Sequence, residues 1–238
     1  MRRFHIDTAQ KKDLKLMGKE HNHLAHVLRM KVGDKVILTC NDPYDYLYSI
    51  KVISKNETQL EFISKSLNEF NPTTNVNVFM GLIKLDKLQF VVEKLNELGV
   101  TNLYLFTSTH SNISSKDISL DKLNSYAIQS SKQCCRSISL RVHPVVSFEE
   151  MVVKIKEHDV RLFCSERGGK HIITSLQRLD GMTCLIIGPE GGFSNNEHDI
   201  LGKTATPVTL SKRILRTETA VIAVTAIVQN HLEEEVQR

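Results

Sequence analysis

From Val76 onward, short apolar runs alternate with amphipathic stretches at helical spacing, and this rhythm limits the possible folds more than any other feature of the chain. Strand-like runs occupy residues 76–83, 102–107, 142–146, 160–164, 184–187 and 207–210. Residues 88–98 place Phe90, Val91, Leu95 and Leu98 at helical spacing, and Gly99 follows where a helix C-cap needs it. Residues 123–135 predict a second helix. Ser194-Asn195-Asn196-Glu197 is a capping box that starts another. Strands alternating with helices predict an α/β domain with a mainly parallel sheet, whose ligands gather at the carboxyl ends of the strands.

The first seventy residues have a different texture. Residues 20–30 carry Leu24, Val27 and Leu28 at helical spacing and end at Val32-Gly33-Asp34. A strand at 36–39, a turn at Asn41-Asp42-Pro43, and the alternations Tyr48, Ile50, Val52 and Leu60, Phe62 predict a small β-barrel with one helix. The polar, proline-bearing tract 68–77 reads as a linker. The domains expected are 1–70 and 75–238.

Two loop segments near the tail carry the chemistry. Gly188-Pro189-Glu190-Gly191-Gly192-Phe193-Ser194 follows a buried strand, and its glycines let the backbone approach a ligand closely. It lacks both the Gly-Lys-Ser/Thr ending of a phosphate loop and the dinucleotide pattern, and its glutamate would repel phosphate. A neutral or cationic ligand suits it, with a plain strand-to-helix turn as the structural alternative. The second segment, Leu210-Ser211-Lys212-Arg213-Ile214-Leu215-Arg216-Thr217-Glu218-Thr219-Ala220, runs into a long apolar helix over 220–232. Ala220, Val221, Val224 and Val228 share one face of that helix, suited to core or dimer packing.

Composition sets bounds. Apolar residues at 41% and charged residues at 24% are those of an ordinary globular chain. The net charge is +4, and the surplus is concentrated early: residues 1–74 hold twelve Lys and Arg against nine Asp and Glu, the rest nineteen against eighteen. Five cysteines without Cys-x-x-Cys spacing, and a start lacking the apolar core of a secretory leader, lead to an expected cytoplasmic setting. No apolar run approaches membrane-spanning length. His21, His23 and His26 lack a matching ligand spacing and read as a polar helix face rather than a metal site.

These residues resemble the RsmE family, the 16S ribosomal RNA uridine-N3 methyltransferases of the SPOUT superfamily, along essentially the whole length. The resemblance rests on His23-Leu24-x-x-Val27-Leu28-Arg29 with Gly33-Asp34, Lys94-Leu95-x-Glu97-Leu98-Gly99-Val100, Gln133-x-x-Arg136-Ser137 and, above all, the two tail segments. It implies a trefoil-knotted parallel sheet of SPOUT type with a smaller N-terminal PUA-like β-barrel for RNA. It also implies a homodimer, S-adenosyl-L-methionine as cofactor, and 16S rRNA in the assembled small subunit as substrate. Under it the cofactor is held by Ile187, Gly188, Pro189, Glu190, Gly191, Gly192, Leu210, Ile214, Leu215, Arg216, Thr217 and Ala220. Arg216 is expected to stabilise the uridine anion, and Glu218 or Glu190 to accept the N3 proton. A helix-dipole role for Glu218 and loop-amide bonding for Glu190 stay open, as does a surface salt bridge for Arg213 and Arg216. Arg2, Arg3, Arg29, Lys31, Arg136 and Arg213 are the candidate RNA contacts. His110, where the family pattern has arginine, and Leu140, where it commonly has proline, depart from it. Another SPOUT methyltransferase, or a non-catalytic RNA-binding assembly factor, are the alternative functions.

Overall fold

A computed structural model of the chain describes residues 1–7, 12–111, 113–176, 179 and 181–236. It divides into two compact units, Met1–Asn71 with Ser131–Ser139, and Pro72–Ser130 with Leu140–Arg238. Residues 131–139, which the linear reading keeps within the second domain, group with the first unit.

In the first unit β1 (Arg2–His5), β2 (Leu14–Met17), β3 (Lys35–Thr39), β4 (Tyr44–Ile53) and β5 (Glu57–Leu67) form one sheet in the order β1-β3-β4-β5-β2. Only β1 and β3 run parallel; the other neighbours are antiparallel. Period-two alternation turns Tyr46, Tyr48 and Ile50 of β4 inward, onto Phe4, Leu24, Val36, Leu38 and Leu60. The helix α1 (Gly18–Asn22) continues into a π-helical turn at His23–Val27, closed by the Leu28 amide donating to His23 O at 2.9 Å. The wider turn rotates the inward face, so Leu24 is buried while Val27 is 70% exposed, against the α-helical spacing read from sequence. His21 is buried, with Nδ1 2.8 Å from Thr58 Oγ1 and Nε2 3.3 Å from Lys55 O, and serves the core.

In the second unit β6 (Val76–Gly81), β7 (Asn102–Thr107), β8 (Arg141–Ser147), β9 (Val160–Cys164), β10 (Lys170–His171), β11 (Thr183–Ile187) and β12 (Thr206–Thr209) make a wholly parallel sheet. Its order is β10-β12-β9-β11-β6-β7-β8. The central strands β6 and β11 are buried at every residue, which is why they read as continuous apolar runs. One face, with Val78, Met80, Leu185 and Ile187, packs with the helices α2 (Leu85–Glu97) and α7 (Thr217–Val236). The other, with Phe79, Phe106, Phe163 and Ile186, packs with α4 (Phe148–Ile155) and α6 (Asn195–Gly202). The remaining helices are α3 (Leu120–Cys134) and the short α5 (Ile172–Ser175). Ala220, Val221, Val224 and Val228 of α7 are buried within this core, so that face is spent inside the chain. Phe90, expected inward, is 48% exposed. No described helix is long and apolar enough to cross a membrane.

Candidate cofactor and active site

The glycine loop leaves the carboxyl end of β11 and is wedged among neighbouring strand ends. A Cβ on Gly81, at the end of β6, would stand 2.4 Å from Pro189 N; one on Gly191 would stand 2.8 Å from His110 Cβ. Gly192 has φ +68, and its Cβ would meet Glu166 Oε1 at 2.8 Å. Gly81 and Gly191 admit no side chain, and Gly192 needs the left-handed backbone that glycine supplies. The Gly192 amide closes the turn on Pro189 O at 2.9 Å. His110, the departure from the family pattern, lies on this loop with Nδ1 3.0 Å from Gly191 O. Leu140, the second departure, donates its amide to Asn96 Oδ1 at 2.8 Å, a bond that proline cannot make.

Beyond the loop, Ser194 and Glu197 form both bonds of the capping box that starts α6. Glu197 is buried and also accepts the Thr109 amide at 2.9 Å. Burial by itself would raise its pKa; the donors Thr109 and Ser194 bind the ionised form and outweigh it, so the carboxyl titrates below its ordinary 4.5. A lowered folded pKa contributes stability that is complete above the unfolded value and is lost as pH falls through the folded one. Between about pH 6 and about pH 3, thermal unfolding of the wild type is therefore expected to lose stability more steeply than Glu197→Gln. Parallel curves for the two proteins would contradict this.

The loops after β9, β11 and β12 and the start of α7 enclose a cavity of about 580 Å³. Of the residues expected to hold a cofactor, Ile187, Gly188, Pro189, Gly192, Leu210, Ile214, Leu215, Thr217 and Ala220 line it. Glu190, Gly191 and Arg216 are not on its wall; Glu190 and Arg216 are exposed. Ile214 is 83% exposed at the rim. The loop after β9 supplies lining that sequence reading missed: Ser165, Glu166, Arg167, Gly168 and Gly169, joined by His171 and His198. Arg167 ties this loop to the glycine loop, donating to Phe193 O at 2.9 Å and Asn195 Oδ1 at 2.7 Å. Gly168-Gly169, separated from the apolar run 160–164 only by Ser165, Glu166 and Arg167, is a weaker form of the signal that marked the other loop.

Both candidate proton acceptors meet one lysine that the sequence reading also missed. Lys87 Nζ lies 2.6 Å from Glu190 Oε1 and 3.2 Å from Glu218 Oε1. The visible signal was a cation in the first helical turn of α2, where the helix dipole disfavours it.

The candidate RNA contacts separate into two groups. Arg2, Arg29, Lys31 and Arg213 are exposed. Arg29 has φ +52. Arg3 and Arg136 are not open to phosphate, which corrects the reading of both as surface contacts. The Arg3 guanidinium, with its side chain 5% exposed, makes a two-pronged pair with Asp45 at 2.7 Å and 2.7 Å. Arg136 is buried, and burial pushes its pKa down to about 10. Its neighbour Ser137 donates Oγ to Asp42 O at 2.6 Å, stitching the 131–139 segment into its unit. Among the described residues no group of three or more His, Cys, Asp or Glu side chains is placed to hold a metal ion.

Known proteins share this plan. A family model described as an RNA methyltransferase domain matches residues 70–229, and one described as an RNA methyltransferase PUA domain matches residues 16–63. The chain belongs to the RNA methyltransferase family. Its relatives within that family carry the name ribosomal RNA small subunit methyltransferase E. That of Buchnera aphidicola subsp. Acyrthosiphon pisum is 30% identical, covering 89% of this chain and 86% of its own. That of Bacillus subtilis is 28% identical, covering 86% and 85%. The Neisseria gonorrhoeae enzyme of that name, solved bound to S-adenosyl methionine, superposes with a TM-score of 0.87 at 23% identity over 97% of both chains. The two share one fold.

Proposed function

We propose that this chain uses S-adenosyl-L-methionine to methylate N3 of a uridine in 16S ribosomal RNA. The observation that carries this is the cavity itself: glycine-bearing loops of three parallel strands meet around it, in a chain matched along its length by small-subunit rRNA methyltransferases. The cavity lies in the size range of small-molecule sites, about 300–1,000 Å³, and mixes apolar walls with a few polar groups. Leu210, Ile214 and Leu215 offer the apolar surface, Gly188 and Gly192 offer backbone, and Glu166 puts a carboxylate where a cationic ligand is favoured. The cofactor, when bound, supplies an activated methyl group on a cationic sulfur.

The chain's own part is placement and charge. Holding N3 in line with the methyl group removes most of the entropic cost of the encounter. A carboxylate takes the N3 proton, and Arg216, exposed beside the rim, stabilises the uracil anion. Arg2, Arg29, Lys31 and Arg213 neutralise RNA phosphates, which makes affinity fall as salt rises. We infer a cytoplasmic homodimer, with a second copy covering Ile214; the near-complete exposure of an isoleucine at the cavity rim supports that reading. The substrate inferred is the assembled small subunit.

Mapping of N3-methyluridine on 16S rRNA from cells with and without the gene tests the proposal. One uridine losing its methyl group in the deletion, and regaining it when purified protein and cofactor are added to subunits, is the expected result. An unchanged N3-methyl map with a methyl lost from another base or a ribose would assign a different target, and no change anywhere would point to a non-catalytic role.

A further inference from the structure

A second groove, of about 670 Å³, opens where β9 and β12 begin, at the other end of the strands that carry the cofactor cavity. Among the described residues its charged lining is Arg161, Lys170, Lys203 and Asp159, a net of +2. Asp159 is already engaged, because its Oδ2 accepts the Met182 amide at 2.8 Å. Lys170 and Lys203 are exposed and make no ion pair or side-chain hydrogen bond among the described residues. Arg161 Nη1 reaches Lys156 O at 3.5 Å, a length at which little bonding is left. Like charges around one concave surface repel one another and focus a positive field. An anion relieves the repulsion and is drawn by the field.

The strands themselves join this groove to the cofactor cavity. On β12, Thr206 lines the groove, and Val208 and Thr209 line the cavity. On the edge strand β10, Lys170 lines the groove and His171 the cavity. At about 3.3 Å per residue, the step from Thr206 to Thr209 is about 10 Å. An RNA strand whose base enters the cavity carries its neighbouring phosphates within that reach, which favours a chain of phosphates over a single free one.

We propose that this groove is a second RNA-contact surface, in which Arg161, Lys170 and Lys203 hold backbone phosphodiesters of the strand whose base reaches the cofactor cavity. This rests on the methyltransferase reading above, which supplies RNA as the substrate class. The group recognised is phosphate and not base, so these contacts set register and strength rather than sequence.

The test uses the full-length protein as Lys170→Gln, Lys203→Gln and the triple variant Arg161→Gln/Lys170→Gln/Lys203→Gln. Lys122→Gln is the control: it removes the same charge from an exposed position outside the groove. Affinity for small subunits lacking the methyl group is measured across a salt series, beside calorimetric affinity for S-adenosyl-L-methionine. Each single variant is expected to bind subunits about fivefold more weakly at 0.1 M salt, and the triple about 100-fold more weakly. The salt slope of the triple should be shallower by about 2. Cofactor Kd should stay within about twofold of wild type in all of them. Unchanged subunit affinity and slope in the triple variant would overturn the proposal, as would an equal loss in Lys122→Gln. Should the triple variant fail to fold, wild-type affinity in both single variants would overturn it equally. Inorganic phosphate is titrated calorimetrically as a separate arm. Binding of it that the triple variant loses, with subunit affinity unchanged, would make this a free-phosphate site instead. Failure of the underlying reading looks different: the wild type itself binds no cofactor or transfers no methyl group to RNA.

Discussion

Gly81→Ala is expected to weaken cofactor binding severely and to lower the melting temperature, although it adds a single methyl group. The added Cβ would stand 2.4 Å from Pro189 N, 2.6 Å from its Cδ and 2.9 Å from its Cα. None of these atoms is the end of a flexible side chain. Gly81 cannot retreat either, because β6 is locked in register with β7, where Gly81 pairs with Phe106 and the Leu82 amide donates to Phe106 O at 3.0 Å. The loop must therefore move, and Gly188 and Pro189 on the cavity wall move with it. Overpacking of this kind costs about 1–3 kcal/mol or more. At the scale of a domain this size that is a fall of roughly 2–12 °C. Cofactor affinity should fall by about 100-fold, since an ångström of displacement misplaces every backbone group that faces the ligand. Gly202→Ala is the control: it sits at the end of α6 with open space around the added atom, and should leave cofactor binding intact without lowering the melting temperature. Unaltered calorimetric binding by Gly81→Ala would mean that the glycine loop is not part of the cofactor site.

Arg216→Ala is expected to remove methyl transfer while leaving cofactor affinity nearly intact. The two effects separate because Arg216 is exposed and off the cavity wall, whereas Leu215 and Thr217 on either side line it. Its contribution to the fold is made by backbone: Arg216 O accepts the Ala220 amide at 2.8 Å in the first turn of α7, and alanine keeps that bond. Charge stabilisation at a developing anion is commonly worth about 10²–10³ in rate, and that loss is predicted for the single-turnover step. Calorimetry on the same sample should give a Kd within about twofold of wild type. Wild-type turnover would remove Arg216 from the mechanism, and a large loss of cofactor affinity would give it a binding role instead.

The readings that came through rested on local signals. β11 is apolar at every position because it is buried on both sides, and Ser194 with Glu197 caps α6 through bonds spanning three residues. Gly99 ends α2 with φ +85, as its place after the last apolar residue predicted. What was not legible depends on distant partners. Arg2–His5 is a strand only because β3 lies beside it, and nothing in Arg-Arg-Phe-His announces that. Arg3 read as a phosphate contact because its counter-ion, Asp45, is 42 residues away. Val27 faced outward because one turn is π rather than α, a change of period that apolar spacing does not reveal. The partners of Lys87 were hidden for the same reason as that of Arg3: Glu190 is 103 positions further along.

A crystal of the full chain grown with S-adenosyl-L-methionine decides the matter. The methyl donor is expected between the 188–192 loop and the 210–217 segment, against Leu210 and Leu215, in each copy of the chain. Density for it at any other place, or a cavity left empty at millimolar cofactor, would contradict the site and the activity built on it.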